Sequence, residues 1–248
     1  MEQTVRRNTY QTDSEFSSES ESINTEAILT RGKTHFNSCN YEKALASLEV
    51  VLDIEQNHAD ALIYRGKIYY VLQKFQASLD DLNHALEIEP YNVQGLIARG
   101  NTLWMLNEYD LCLSDLDSVL KVDPRNEDAY KIRGKIHRIL DNFDESLNDL
   151  NKCLELNSNC AFALRSRGDV HHMMGLFAES LEDLNRSLQI EPNNLFALKT
   201  RGATHFMLKR YRQALDDFNK VVETIPDDEF SKEYKEAIRM KLLDHLYD

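Results

Sequence analysis

Residues 127–160 read EDAYKIRGKIHRILDNFDESLNDLNKCLELNSNC, and the Arg133-Gly134 pair inside them recurs along the chain at one fixed interval. Gly32, Gly66, Gly100, Gly134, Gly168 and Gly202 each follow an arginine, and each step is 34 residues. A 34-residue period built on such a glycine marks stacked helix–turn–helix units. Each unit exposes an apolar face that only its neighbour covers, so the chain is predicted to be an all-α solenoid and not a globule. A solenoid presents surface to partners, and that steers the functional reading toward binding.

The six units fall at 25–58, 59–92, 93–126, 127–160, 161–194 and 195–228, with the glycine at position 8 of each. At about 100° per residue, positions 17, 20, 21, 24, 27 and 28 form the apolar face of the second helix. Position 17 is always aromatic, from Tyr41 and Phe75 to Tyr211, and position 21 is always leucine, from Leu45 to Leu215. Position 20 is always small: Ala44, Ser78, Cys112, Ser146, Ser180 and Ala214. A mid-helix glycine opposite it predicts close approach of the two helices, recovering the 0.5–1 kcal/mol or so that glycine costs there. All four prolines, Pro90, Pro124, Pro192 and Pro226, stand at position 32, where they end the second helix. Units one and four carry Gln56 and Ser158 instead.

The net charge of −13 argues against nonspecific binding to nucleic acid or to an anionic membrane. No apolar run reaches the 18 or so residues needed to span a bilayer. Cys39, Cys112, Cys153 and Cys160 form no C-x-x-C pair and no dense disulfide framework, which fits a reducing, cytoplasmic setting. Cys112 and Cys153 read as small buried apolar residues, and Cys39, near a turn, as exposed. His35, His137, His171 and His205 share position 11, but units lie about 8–10 Å apart, too far to share a metal. No phosphate loop, nucleophile–base set or metal-ligand spacing is present. The reading is a non-enzyme with no cofactor and no metal.

The ends differ from the units. Residues 1–22 are polar and acidic, with Ser17-Ser18-Glu19-Ser20-Glu21-Ser22, and are expected to be a disordered tail. Their acids and Phe16 match the ligand type expected for the groove. Residues 229–248 space Phe230, Tyr234, Ile238 and Leu242 four apart, as expected of a helix capping the last unit.

With its small-or-apolar positions 8, 20 and 27, aromatic 17 and proline 32 in six registered copies, the chain resembles the tetratricopeptide repeat family. The resemblance implies a right-handed superhelix of antiparallel helix hairpins whose first helices line a concave groove. It also implies adaptor or co-chaperone work on a peptide or helix of another protein. The chain departs from the generic pattern at position 7, where Arg31, Arg65, Arg99, Arg133, Arg167 and Arg201 replace an apolar residue. Position 23 holds Asp81, Asp115, Asp149, Asp183 and Asp217, but Ser47 in unit one. Arg–Asp bridges stapling each hairpin are expected, in preference to a ladder of arginines for an anionic ligand.

Positions 2, 5, 9, 12 and 13 are expected to line the groove. They supply Phe36, Lys67, Tyr70, Asn101, Trp104, Lys131, Lys135, Arg138, Arg165, Lys199 and Phe206 as candidate peptide-binding residues. With Lys33, the basic residues number seven against four acids, Glu26, Asp60, Asp128 and Asp169, in a strongly acidic chain. That inversion points to an acidic segment with aromatic or apolar anchors. A carboxylate clamp of the chaperone-binding kind is not reproduced: Ile97 stands where it needs lysine, and Ser166 where it needs asparagine. A Hsp70 or Hsp90 co-chaperone and a self-assembling homo-oligomer are the rival readings.

Overall fold

The structure, a computed structural model, describes residues 12–244, with side chains from 25 to 243. Among the described residues there are thirteen α-helices and no strand. The chain divides into two compact units, Met1–Pro124 and Arg125–Asp248. The first holds α1 (Thr12–Asn37), α2 (Tyr41–Ile54), α3 (Ala59–Val71), α4 (Phe75–Ile88), α5 (Val93–Met105) and α6 (Tyr109–Val122). The second holds α7 (Glu127–Ile139), α8 (Phe143–Leu156), α9 (Ala161–Met173), α10 (Phe177–Ile190), α11 (Leu195–Met207), α12 (Tyr211–Thr224) and α13 (Glu229–Asp244). Odd and even helices pair as sequential antiparallel hairpins. The backbone of α1 starts well before residue 25, where the repeat begins. The expected disordered tail, 1–22, falls on residues whose side chains lie outside the described ones.

One turn closes every hairpin. The N–H of position 16 donates to the carbonyl of position 11, as from Asn40 to His35 at 2.9 Å and from Asn142 to His137 at 2.8 Å. This closure needs a left-handed residue at position 15. Cys39, Gln73, Asn107, Asp141 and Lys209 hold φ between 56° and 61° there, and Gly175 holds 78°. Between hairpins, Asn92, Asn126 and Asn194 at position 34 accept from the N–H three residues on at 3.0–3.1 Å, capping α5, α7 and α11. Asp228 does the same for α13 at 2.9 Å.

Except in the third hairpin, the helices of a hairpin meet the glycine most closely at position 24, not at the small position 20. A Cβ added to Gly66 or Gly168 would lie 2.8 Å from Leu82 or Leu184, and one on Gly202 would lie 2.9 Å from Phe218. Leu48, Leu82, Leu116, Leu150, Leu184 and Phe218 are all fully buried. The recurring leucine of position 21 lies further out and is only half-buried except at Leu181. Position 20 serves a polar purpose as well: Ser146 Oγ donates to Gly134 O at 2.7 Å, and Cys112 Sγ to Gly100 O at 3.0 Å.

Arginine at position 7 ties the layers together. Arg65, Arg99, Arg133, Arg167 and Arg201 each donate from Nε and Nη2 to both oxygens of Asp81, Asp115, Asp149, Asp183 and Asp217, at 2.6–2.9 Å. A planar fork on a carboxylate is the strongest form of this bond. Some reach one hairpin back as well: Nη1 of Arg99, Arg167 and Arg201 donates to Asn83, Asn151 and Asn185 at 2.7–2.9 Å. That asparagine, at position 25, is a partner the sequence pattern alone does not single out.

Helix α13 continues the register of the first helices of the units. Ser231 and Ile238 occupy positions 3 and 10 of that register and are fully buried. Tyr234 stacks 5.1 Å from Phe218 and meets the edge of Phe206 at 5.1 Å. The expected stripe at every fourth residue is only partly inward: Phe230 and Leu242 are 42% and 45% exposed. With 3.6 residues per turn, each step of four drifts about 40° around the axis, so the ends of the stripe rotate off the face.

Candidate functional site

In the Met1–Pro124 unit, the first helices of successive hairpins frame a cleft of about 340 Å³. Phe36 from α1, Tyr70 and Val71 from α3, and Ile97 and Ala98 from α5 give it apolar walls. Lys67, Gln94 and Asn101 add polar groups. The walls are rigid because each aromatic of position 12 rests on the aromatic of position 17 in its own hairpin. Phe36 lies 6.1 Å from Tyr41, Tyr70 6.0 Å from Phe75, and Trp104 5.4 Å from Tyr109. Phe36 also meets the edge of Tyr64 at 5.5 Å. These rings thus pack within the scaffold and turn part of their surface outward. Lys67 donates to Gln94 at 2.9 Å and sits 4.8 Å from the centre of the Tyr64 ring. Burial, only partly offset by Asp60, holds its ammonium below the usual lysine pKa.

In the Arg125–Asp248 unit the corresponding surface is polar. Lys131 binds Glu127 at 3.1 Å and Asp128 at 2.7 Å on its own helix. Arg138 lies 3.1 Å from Asp169, Arg165 3.6 Å from Glu191, and Lys199 bonds Asp228. Arg165 also covers the Phe162 ring at 4.6 Å. Phe206 packs 5.8 Å from Tyr211. The basic excess expected from the groove positions is therefore largely offset. Glu127, Glu191 and Asp228 stand at positions 1, 31 and 34, outside the positions that define the lining, yet their carboxylates reach it from the turns. At Lys135, burial and then the nearby Arg138 and Arg165 hold the ammonium below the usual lysine value.

The histidines of position 11 lie apart from both surfaces. His171 Nδ1 is 3.3 Å from Asp183 Oδ2, beside the Arg167 fork. Burial pushes the His205 imidazole below its usual pKa. The described helices include none long and apolar enough to cross a membrane.

Comparison with known proteins agrees with this architecture. The profile of the tetratricopeptide repeat matches residues 128–160, the fourth unit. Among curated proteins, none matches the sequence. Among solved structures, PilF of Pseudomonas aeruginosa is similar with a TM-score of 0.77 at 15% identity, over 86% of this chain and 97% of that one. A tetratricopeptide repeat protein of Parabacteroides merdae gives a TM-score of 0.71 at 21% identity, over 88% and 87%. YrrB, described as a TPR protein with an unusual peptide-binding site, gives 0.62 at 18% identity, over 76% and 97%. At such identities the likeness concerns the fold. Together with the matched repeat and its five registered copies, it makes this chain a tetratricopeptide repeat protein, built on a fold that generally serves as a non-catalytic scaffold for protein–protein interaction.

Proposed function

We propose that this protein is an adaptor that binds a short segment of a partner on the exposed faces of its first helices, anchored by an aromatic or large aliphatic side chain. The observation that carries this reading is the cleft walled by Phe36, Tyr70 and Ile97. Its walls are already held by packing, so a ligand meets a preformed pocket and little ordering cost. Gln94 and Asn101 at its edge offer both donors and acceptors to a ligand backbone. Acidic residues of the ligand are favoured beside Lys67 in the cleft, where a carboxylate would stabilise an ammonium disfavoured by burial. YrrB, similar in fold and described as peptide-binding, supports the class of ligand by analogy alone. The chaperone-tail reading finds less support, because the ammonium of Lys131 is already taken up by Glu127 and Asp128.

The test is selection from a random peptide display library on the full chain, followed by titration of a labelled selected peptide. Selected sequences should share one aromatic or large aliphatic residue with acidic neighbours. Ile97→Lys should weaken binding about tenfold or more, as expected for a central anchor pocket. Lys67→Glu should weaken it less, with an effect that shrinks in high salt. Trp104, the sole tryptophan, lies one turn beyond Asn101 on α5 and should report occupancy by fluorescence. Selected peptides indifferent to both substitutions, with circular dichroism unchanged, would place binding elsewhere.

A further inference from the structure

The turn between α8 and α9 brings together two thiols and a carboxylate. Cys153 lies in the last turn of α8, Cys160 caps the start of α9, and Glu127 opens α7. Their Sγ, Sγ and carboxylate oxygen atoms all lie within 4.8 Å of one another. Two sulfurs each about 2.3 Å from a tetrahedral zinc stand about 3.8 Å apart, so small side-chain rotations close this set around one ion. We propose that Cys153, Cys160 and Glu127 form a binding site for a single divalent ion of the zinc class, with solvent completing the shell.

Further features support the assignment. The donors are supported from three helices: Cys153 is fully buried and Cys160 is 8% exposed, packed with Leu150, Ala163 and Val170. Glu127 is only partly buried and gives an ion its entry path. The carboxylate is oriented in advance, because Asn157 Nδ2 donates to its Oε2 at 3.3 Å and Lys131 lies 3.1 Å from its Oε1. Such outer partners fix ligand geometry in metal sites. Charge also closes: a divalent ion displaces two protons to solvent from the thiols, and the resulting single negative charge faces the Lys131 ammonium. Cys160 makes no side-chain cap to α9, whereas Asn92, Asn126 and Asn194 cap their helices from the same position. This turn thus forgoes a stabilising cap and carries a thiol in its place.

Cobalt(II) is the probe, titrated into the full chain in a Cys39→Ser background kept reduced with a phosphine. One equivalent should produce sulfur-to-cobalt charge transfer and tetrahedral ligand-field bands, both removed by one equivalent of zinc. Cys153→Val and Cys160→Asn borrow residues that the same positions hold in other units, Val51, Val119 and Val221, and Asn92, Asn126 and Asn194, so both variants retain the repeat pattern. Each should abolish the charge-transfer band. Glu127→Gln should weaken binding by about tenfold or more while keeping it. Zinc should raise the melting temperature of the parent and leave that of Cys160→Asn unchanged. A charge-transfer band that survives Cys160→Asn, an octahedral spectrum only, or a Cys153–Cys160 disulfide formed under peroxide from a chain with no cobalt affinity would each overturn the proposal.

Discussion

Gly168 and Gly100 hold the same place in their units, yet a methyl group would meet different neighbours there. At Gly168 a Cβ would lie 2.8 Å from Leu184 Cγ and 3.2 Å from the backbone oxygen of Ser180, so something must move. At Gly100 the nearest atom is Cys112 Sγ at 3.5 Å, an ordinary contact. Gly168→Ala should therefore destabilise by about 1–3 kcal/mol through overpacking. Gly100→Ala should instead stabilise by about 0.5–1 kcal/mol, the helical penalty of glycine being removed. Urea melts of the pair decide it, and equal losses would contradict the difference in packing. Arginine at position 7 gives a second contrast. The Asp149 side chain is 2% exposed and Arg133 is 20% exposed. Arg133→Met strands a buried carboxylate and should cost about 3 kcal/mol, the low end for a broken buried pair because water reaches the guanidinium side. Arg133→Met with Asp149→Leu should recover most of that loss. Arg31 is exposed and faces a unit with Ser47 in place of aspartate, so Arg31→Met should change stability by less than about 0.5 kcal/mol. Similar losses at Arg31 and Arg133 would show that the fork contributes nothing special.

At the scale of the hairpin, the turn at position 15 is under identical geometric demand six times, but only once does glycine meet it. Left-handed φ costs other residues roughly 1–2 kcal/mol. Gly175 has open space around its missing Cβ, so Gly175→Ala should cost about 1 kcal/mol by backbone strain alone. Lys209→Gly, at φ 57°, should gain several tenths of a kcal/mol after the entropy of the unfolded glycine is counted. If thermal melts show Gly175→Ala neutral, the turn relaxes in a way its hydrogen bonds do not require. These hairpins were readable in the sequence because the residues that build them recur in register: glycine at 8, aromatic at 17, leucine at 21, the Arg–Asp pair at 7 and 23. The electrostatics of the exposed face were less readable. Gln94, Ile97 and Asn101 of the cleft stand at positions 2, 5 and 9, which the helical period places on one side of the first helix. The balancing acids, Glu127, Glu191 and Asp228, come from the junctions between hairpins, where helical periodicity carries no information. Cys153 and Cys160 stayed apart for the same reason, since six residues of helix end and turn separate them and no spacing rule crosses that bend.

At the scale of the whole array, stability is a sum over hairpins and the interfaces between neighbours, so each apolar face needs an element that covers it. Helix α13 covers the face of α11 and α12 by reusing the first-helix register at Ser231 and Ile238. Glu236 stands where the other units have glycine, and a side chain there would block the position-24 residue of any following helix. Beneath α13, Phe218 is fully buried and Ala203 is 3% exposed. Ile238 is fully buried against them, so Ile238→Ala should cost about 2–5 kcal/mol, whereas Leu242→Ala, at an exposed position, should cost little. Because each hairpin leans only on its neighbours, the loss should be local. Hydrogen exchange of the Ile238→Ala variant should show α11 and α12 losing protection while α9 and α10 keep most of theirs, the signature of local unfolding. Uniform loss of protection from α7 to α12 would mean that the Arg–Asp–Asn clamps couple these hairpins into one cooperative block. In that case the arginine forks, not the cap, would set the stability of the C-terminal half.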